Sequence, residues 1–287
     1  MHRKRTLSIC LAFLPALALL WGGAQVAGQA SSTPGRASKA RLVWSDEFNG
    51  PNGSQLDSSK WTAVEDGSGF GNNELEYYTA RPTNVRVQDG NLILTALKES
   101  YSGKQGEHAY TSGRIESRGK FSFKYGRIEA RAKLPHGQGI WPAFWMLGSD
   151  FATAGWPNCG EVDIMENVGQ EPDKIHGSLH GPGYSGATPL SGIYSLPNNA
   201  RFSDDYHVFG IEWQPKEIRF YVDGRLFETQ KASDLPAGKR WVFDHPFYVV
   251  LNVAVGGYWP GAPDATTRFP QSMLVDYVRV YKLKDRR

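Results

Sequence analysis

The sequence has 287 residues, 40% of them hydrophobic, with 32 Lys and Arg against 29 Asp and Glu. Three of the basic residues stand at positions 3–5, so the rest of the chain is close to neutral. Because Lys and Arg do not cluster elsewhere, the composition argues against binding to nucleic acid or to an anionic membrane surface.

The first thirty residues have the pattern of a secretory signal peptide. Residues 3–5 are basic, residues 7–20 are mainly apolar, and small residues at 28–30 offer a cleavage site. The apolar stretch is short for a membrane span, which needs about 20 residues, so export with cleavage is favoured over a membrane anchor. We expect residues 1–30 to be a signal peptide, 31–40 a disordered linker and 41–287 one domain. The mature protein is then secreted, extracellular or periplasmic, and free of the membrane.

Strand patterns recur along the domain, whereas helix patterns are scarce. The predicted strands cover residues 91–97, 127–134, 206–213, 218–222, 225–228, 247–255 and 273–281. Residues 214–217 are interpreted as a hairpin loop, and Asp223-Gly224 as a type I′ turn. Many short strands separated by Gly- and Pro-rich turns predict an all-β sandwich or barrel.

Three acids interrupt an otherwise apolar strand pattern at residues 161–166. Side chains alternate along a strand, so Glu161 and Asp163 share one face, while Glu166 would point the other way. One extra residue around Ile164-Met165, a β-bulge, would return Glu166 to the face of the other two. The alternative is an acidic solvent face without chemistry, since such faces are common.

The spacing of the two glutamates can be compared with known chemistry. With a bulge their Cα atoms lie about 13 Å apart, and side chains that reach toward each other bring the carboxyl groups to roughly 5 Å. Retaining glycosidases hold their carboxyl pair about 5–5.5 Å apart, and inverting enzymes about 6.5–9.5 Å. The spacing therefore favours a retaining glycosidase.

Aromatic and histidine pairs flank the acidic strand in the sequence. Trp141 and Trp145 are four residues apart, as are His176 and His180, so each pair shares a face of its strand. Flat aromatic rings beside carboxylates are typical of carbohydrate sites, although paired Trp residues are also common in cores. A zinc site on the histidines needs a helix, and on a strand they lie roughly 13 Å apart, so zinc is disfavoured.

Together these motifs resemble glycoside hydrolase family 16, and most of all its bacterial laminarinases, which are endo-β-1,3-glucanases. The resemblance runs from Leu42 to Tyr281. The motifs that carry it are 141–145 (WPAFW), 161–166 (EVDIME), 176–181 (HGSLHG) and 259–261 (WPG). It implies a jelly roll of two curved antiparallel sheets with a substrate cleft on the concave face.

The resemblance also implies the roles of individual residues. Glu161 would be the nucleophile, Glu166 the general acid and base, and Asp163 the residue that holds Glu161. The expected substrate contacts are Trp141, Trp145, His180, Asn73, Arg114 and Trp259. No cofactor is implied for catalysis, the polymer partner is a β-glucan, and a monomer is expected.

A structural calcium ion is implied on the convex side. Its expected ligands are Glu47, the backbone carbonyl of Gly90 and Asp276, which suit a cation that prefers oxygen. The alternative is that these acids merely flank turns.

Two alternatives remain open for the function. The chain could act on mixed-linkage glucan or a galactan with the same chemistry, although its near-neutral composition favours an uncharged glucan. A non-catalytic glucan-binding protein of the same fold is the other alternative, and the presence of both Glu161 and Glu166 argues against it.

Overall fold

The computed structural model describes residues 40–284, and the predicted signal peptide and nearly all of the predicted linker lie outside this range. The described residues form seventeen strands and a single α-helix of four residues, Phe151–Ala154. Two short 3₁₀ turns cover Gly69–Gly71 and Ala232–Asp234. Within residues 40–284 no helix has the length and hydropathy to span a bilayer.

In chain order the strands are β1 Arg41–Asp46, β2 Thr62–Ala63, β3 Glu76–Tyr78, β4 Val85–Gln88, β5 Asn91–Gly103, β6 Gly106–Ser112, β7 Arg114–Glu116, β8 Gly126–Lys133, β9 Ile140–Gly148, β10 Glu161–Glu166, β11 Lys174–His180, β12 Leu190–Ser195, β13 His207–Gln214, β14 Glu217–Val222, β15 Arg225–Lys231, β16 Phe247–Val255 and β17 Gln271–Lys282. All seven strands predicted from sequence are present. The predicted strand at 91–97 extends to residue 103, and Asp223 and Gly224 both have positive φ, as a type I′ turn requires.

The strands form two sheets. A ten-stranded sheet has the order β15-β14-β13-β8-β17-β5-β6-β3, with β1 beside β17 and β4 beside β5. A seven-stranded sheet has the order β12-β11-β10-β9-β16-β7-β2. Every strand pair is antiparallel except β3 with β6, which is parallel. The acidic strand β10 therefore lies inside the seven-stranded sheet, with a neighbour on each side.

One apolar core joins the two sheets. In β8, Ile128, Ala130 and Ala132 are buried, and the charged residues between them are partly exposed, as their alternation predicts. In β10, Val162 and Ile164 belong to the same core and are fully buried. Strand β16 is buried at all nine positions, because one face packs on the core and the other is covered by neighbouring side chains. Apolar burial on this scale is the main term that holds a sandwich together.

Candidate active site

The predicted β-bulge is present in β10. Asp163 pairs with Trp145 of β9, and Met165 pairs with Phe144. Two steps along β10 therefore correspond to one step along β9, which is the mark of a bulge. On the other side the register with β11 shifts between Asp163 and Glu166. The bulge returns Glu166 to the face of Glu161 and Asp163, as the sequence predicts.

We define the acid face as the surface of the seven-stranded sheet that carries these three carboxyl groups. Residues opposite each other on antiparallel strands point to the same side. The rows across β11, β10 and β9 are His180-Glu161-Leu147, Ser178-Asp163-Trp145 and His176-Glu166-Ala143, and β16 and β7 extend the last row with Asn252 and Arg114. Ala143, the residue opposite Glu166 on β9, has a small side chain.

An aromatic wall stands beside Glu166. The indole Nε1 of Trp141 donates a hydrogen bond to Oε1 of Glu166 at 3.1 Å. Trp259 meets the Trp141 ring edge-on at 5.5 Å and the His176 ring edge-on at 4.9 Å, and 43% of its surface is exposed. The predicted residues Trp141 and Trp259 thus come together, and His176 joins them rather than a metal site with His180.

The second predicted tryptophan lies beside Asp163. Trp145 donates from Nε1 to Oδ1 of Asn252 at 2.7 Å. The Arg114 guanidinium lies 5.0 Å from the Trp145 ring centre and donates two hydrogen bonds to Glu116. Both predicted residues therefore line the acid face. Arg114 is buried and paired with Glu116, so at this site it is a fixed charge.

His180 contacts two of the three acids. Its Nδ1 accepts a hydrogen bond from the Gly186 amide at 3.1 Å, so in the neutral imidazole the proton is on Nε2. That Nε2 lies 3.0 Å from Oδ2 of Asp163 and 3.8 Å from Oε1 of Glu161. Atoms of these three side chains lie within 4.8 Å of one another, a spacing that suits proton sharing and is also close enough to hold a cation.

Burial changes the acidity of the acid face. Loss of hydration, followed by the neighbouring Asp163 carboxyl, raises the pKa of Glu161 and of Glu166 to about 8 each. Loss of hydration also raises the pKa of Asp163 well above its ordinary range. The Trp141 hydrogen bond lowers the pKa of Glu166, since a donor favours the ionised carboxylate, but burial outweighs it. A carboxyl group that keeps its proton near neutral pH can act as a general acid.

The predicted contact Asn73 lies in a turn at the edge of the acid face. Its φ is +59°, a left-handed conformation that Asn tolerates better than most residues. The carbonyl of the preceding residue, Asn72, accepts a hydrogen bond from the Tyr258 amide at 2.8 Å. The following residue, Glu74, forms an isolated β-bridge with Gly256. A side-chain atom at Gly257 would lie 3.4 Å from the Trp141 ring. The turn therefore stands beside Trp141, and a sugar contact by Asn73 stays a prediction.

Two further residues belong to this surface that the sequence analysis did not select. Asn252 is a buried polar residue within the apolar run of β16, and that contrast could have identified it. Trp156 is 46% exposed, and its ring lies 6.2 Å from that of His180. No periodic pattern surrounds Trp156, so the sequence offered no signal for it.

The predicted calcium ligands lie on the other sheet. Asp46 of β1 pairs with Val278 of β17, and Leu92 of β5 pairs with Val275, so Glu47, Gly90 and Asp276 lie at neighbouring strand positions. Both carboxylate oxygens of Glu47 accept hydrogen bonds from Arg279, at 3.0 and 2.7 Å, and Asp276 pairs with Arg131 at 2.8 Å. The strand register brings the three expected oxygen ligands to neighbouring positions. Both carboxylates form ion pairs with arginines.

We predict that the buried glutamates Glu161 and Glu166 make the folded state less stable at alkaline pH. A pKa raised from 4.5 to about 8 means that the folded state binds more protons than the unfolded chain between these values, so stability falls as pH rises through that window. Glutamine cannot ionise. The melting temperature of Glu166→Gln should therefore exceed that of the wild type by a margin that grows from pH 5 to pH 8.5. Exposed Glu107→Gln is the control, and parallel melting curves for Glu166→Gln and the wild type would contradict the prediction.

The sequence is similar to known proteins over most of its length. The chain matches glycosyl hydrolases family 16 over residues 72–279. It is 44% identical over 254 residues to a β-glucanase of Rhodothermus marinus, which covers 84% of this chain and 85% of the relative. A keratan-sulfate endo-1,4-β-galactosidase of Sphingobacterium multivorum is 40% identical over 84% of this chain and 55% of its own.

The fold agrees with a solved structure as well. The catalytic domain of an endo-1,3-β-glucanase (laminarinase) from Thermotoga petrophila superimposes with a TM-score of 0.82 at 48% identity, covering 86% of this chain and all of the other. The predicted fold class, an all-β jelly roll, is confirmed by this likeness. The chain belongs to glycoside hydrolase family 16.

Proposed function

We propose that this glycoside hydrolase is a secreted endo-1,3-β-glucanase that cleaves laminarin-type β-glucans with retention of the anomeric configuration. The observation that carries the proposal is the bulge in β10, which places Glu161, Asp163 and Glu166 on one face. Paired carboxyl groups in a partly enclosed site are the minimum requirement for glycoside cleavage.

The reaction would proceed in two displacements. Glu161 attacks the anomeric carbon while Glu166 protonates the departing glycosidic oxygen, which forms a glycosyl-enzyme ester. Glu166 then takes a proton from water, and the resulting nucleophile hydrolyses the ester and frees Glu161. The assignment follows the family resemblance. The charge of His180 lowers the pKa of both glutamates against the larger effect of burial, and that of Arg114 is a further lowering influence on Glu161.

Asp163 would control the charge of the nucleophile. Burial raises the pKa of Asp163 well above its ordinary range, which favours its neutral form. A neutral Asp163 removes a like charge beside Glu161 and so favours the reactive carboxylate. The nearby Nε2 of His180 gives the Asp163 carboxyl a polar neighbour in the buried row.

The surface beside the acids suits an uncharged sugar chain. Trp141, Trp259 and Trp156 offer flat apolar rings, and tryptophan also donates from its indole nitrogen to oxygen acceptors. The relatives from Rhodothermus marinus and Thermotoga petrophila are named a β-glucanase and a laminarinase. A galactan is the second candidate substrate, because the Sphingobacterium multivorum relative is named a galactosidase.

We also propose that Glu47, the Gly90 carbonyl and Asp276 hold a structural Ca²⁺ ion. Hydrogen bonds from Arg279 lower the pKa of Glu47, so this ligand carries a full negative charge at neutral pH. The ion would take the place of the arginine contacts and join β1, the turn before β5, and β17, which binds both ends of the domain to one point.

Laminarin hydrolysis tests the proposed activity. Purified protein should release reducing ends from laminarin, and the first product should have the β configuration by NMR, as retention requires. Glu161→Gln and Glu166→Gln should each lower kcat by about 10²–10⁴-fold or more, the range of general acid–base contributions. Glu107→Gln on β6 is the control for an exposed glutamate. Cleavage of agarose or barley β-glucan without laminarin would overturn the substrate, and binding without cleavage would overturn the activity.

The pH profile tests the role of Trp141. Glu161 must be ionised to attack and Glu166 must be protonated to release the leaving group, so kcat/KM should follow a bell-shaped pH profile centred near 8, whose alkaline limb is set by loss of the Glu166 proton. Trp141→Phe removes the donor that favours the ionised form, which raises the pKa of Glu166 and moves this alkaline limb to higher pH. Trp259→Phe keeps the donor and should leave the limb in place. An unmoved limb in Trp141→Phe is the result that would count against this assignment.

Calcium removal tests the metal proposal. The melting temperature should be higher in millimolar CaCl₂ than in EGTA, because an ion that binds only the folded state stabilises it. Glu47→Gln and Asp276→Asn should each abolish the difference, and MgCl₂ serves as the control salt. Equal melting temperatures in CaCl₂ and EGTA for the wild type would overturn the site.

A further inference from the structure

We propose that Asn252 and Tyr78 are positioning residues that fix the orientation of Trp145 beside the catalytic strand and connect it to the turn that carries Asn73. The inference rests on the proposed glycosidase function of the acid face. It concerns three strands, β9, β16 and β3, that are far apart in the sequence and meet beside the acids.

A continuous chain of hydrogen bonds makes this connection. Trp145 Nε1 donates to Asn252 Oδ1 at 2.7 Å, and Asn252 Nδ2 donates to the Tyr78 hydroxyl at 3.1 Å. The Tyr78 hydroxyl donates in turn to Oε2 of Glu74 at 3.1 Å. Glu74 directly follows Asn73, and its other oxygen accepts from the Asn72 side chain at 3.1 Å.

The donor and acceptor properties of each group allow only one direction for these hydrogen bonds. An indole nitrogen only donates, so the amide oxygen of Asn252 must face Trp145. The amide nitrogen then faces Tyr78. The Tyr78 hydroxyl accepts a hydrogen bond from it and donates its own hydrogen bond to Glu74. Asn252 is 6% exposed and Tyr78 is fully buried, so water does not compete for these bonds. A reversed amide would set its NH₂ group against the Trp145 N–H, two donors face to face, and would leave this buried indole donor without an acceptor.

The far end of the chain is anchored to β16. Glu76 is two residues from both Glu74 and Tyr78 in the sequence. Its Oε2 accepts a hydrogen bond from the Val255 amide at 2.7 Å. Burial, and then the Glu74 charge, raise the pKa of Glu76 well above its ordinary range. The Glu76 hydrogen bond secures the strand that follows the Asn73 turn to the end of β16.

Trp145 is the member of this hydrogen-bonded series that lies beside the acids. It lies directly opposite Asp163 across β9 and β10, and Arg114 covers its ring at 5.0 Å. The tilt of the indole sets the free space above Asp163 and beside Ala143, where a sugar ring would sit. A misplacement of about 1 Å at such a position can cost about 10²-fold in rate.

A double-mutant cycle separates positioning from general stability. Asn252→Leu should lower kcat/KM about 10–100-fold, mostly through kcat, because it releases the indole that shapes the transition-state site. Trp145→Phe has no N–H to orient, so Asn252→Leu should add less than about 3-fold in that background. Asn252→Asp keeps an acceptor for the indole and should retain more activity than Asn252→Leu, which also covers the case in which the leucine variant does not fold.

A matched control lies at the end of β1. Trp61 donates from Nε1 to Oδ2 of buried Asp46 at 2.8 Å, so Asp46→Leu removes the acceptor of an indole far from the acids. It should lower the melting temperature and leave kcat and KM of the folded fraction unchanged. Full additivity of Asn252→Leu and Trp145→Phe, or unchanged kinetics in Asn252→Leu, would overturn the inference.

The substrate of the cycle keeps this test distinct from the proposed function. The cycle is measured on whichever polymer the wild type cleaves fastest among laminarin, barley β-glucan and agarose. Failure on laminarin alone then overturns the proposed substrate, whereas additivity on any of the three overturns the positioning role. If the wild type cleaves none of them, the affinity for laminarihexaose from calorimetric titration replaces kcat/KM, with the same criterion of additivity.

Discussion

The register shift in β10 is the constraint on which the rest of the site depends. Without the extra residue, Glu166 would enter the apolar core in place of Met165, and the sheet would carry two acids on one face and one on the other. With it, Val162, Ile164 and Met165 are all fully buried, and the three acids face outward together. One inserted residue therefore serves both the packing of the sandwich and the geometry of the carboxyl groups.

The neighbouring strands turn this row of acids into a reactive surface. Each acid faces a different environment: His180 beside Glu161, Trp145 beside Asp163, and Trp141 beside Glu166. Similar carboxyl groups thus differ in their hydrogen-bond donors and in the charges beside them. The same burial that raises their pKa values works against the folded state, so the apolar core on the opposite face must supply the stability that the acid face lacks.

The contacts of Asn252 extend this argument away from the reacting atoms. Asn252 is the polar exception within a strand that is buried from end to end, and its amide accepts one hydrogen bond and donates another. A buried amide bonded at both its oxygen and its nitrogen favours one arrangement of its neighbours, since a reversed amide leaves a donor without an acceptor. In this protein the arrangement specified is that of Trp145 and the Asn73 turn.

The sequence by itself determined the all-β class, the positions of the seven predicted strands and the bulge in β10. Each of these depends on local alternation, which a strand of six residues already displays. Only the tertiary structure decided that Asn252 bonds Trp145, 107 positions away, and Tyr78, 174 positions away. It also decided that His176 joins Trp259 and that Trp156 stands beside His180. Alternation shows which face a side chain takes, but its partners depend on the register of strands distant in the chain, and no local pattern records that register.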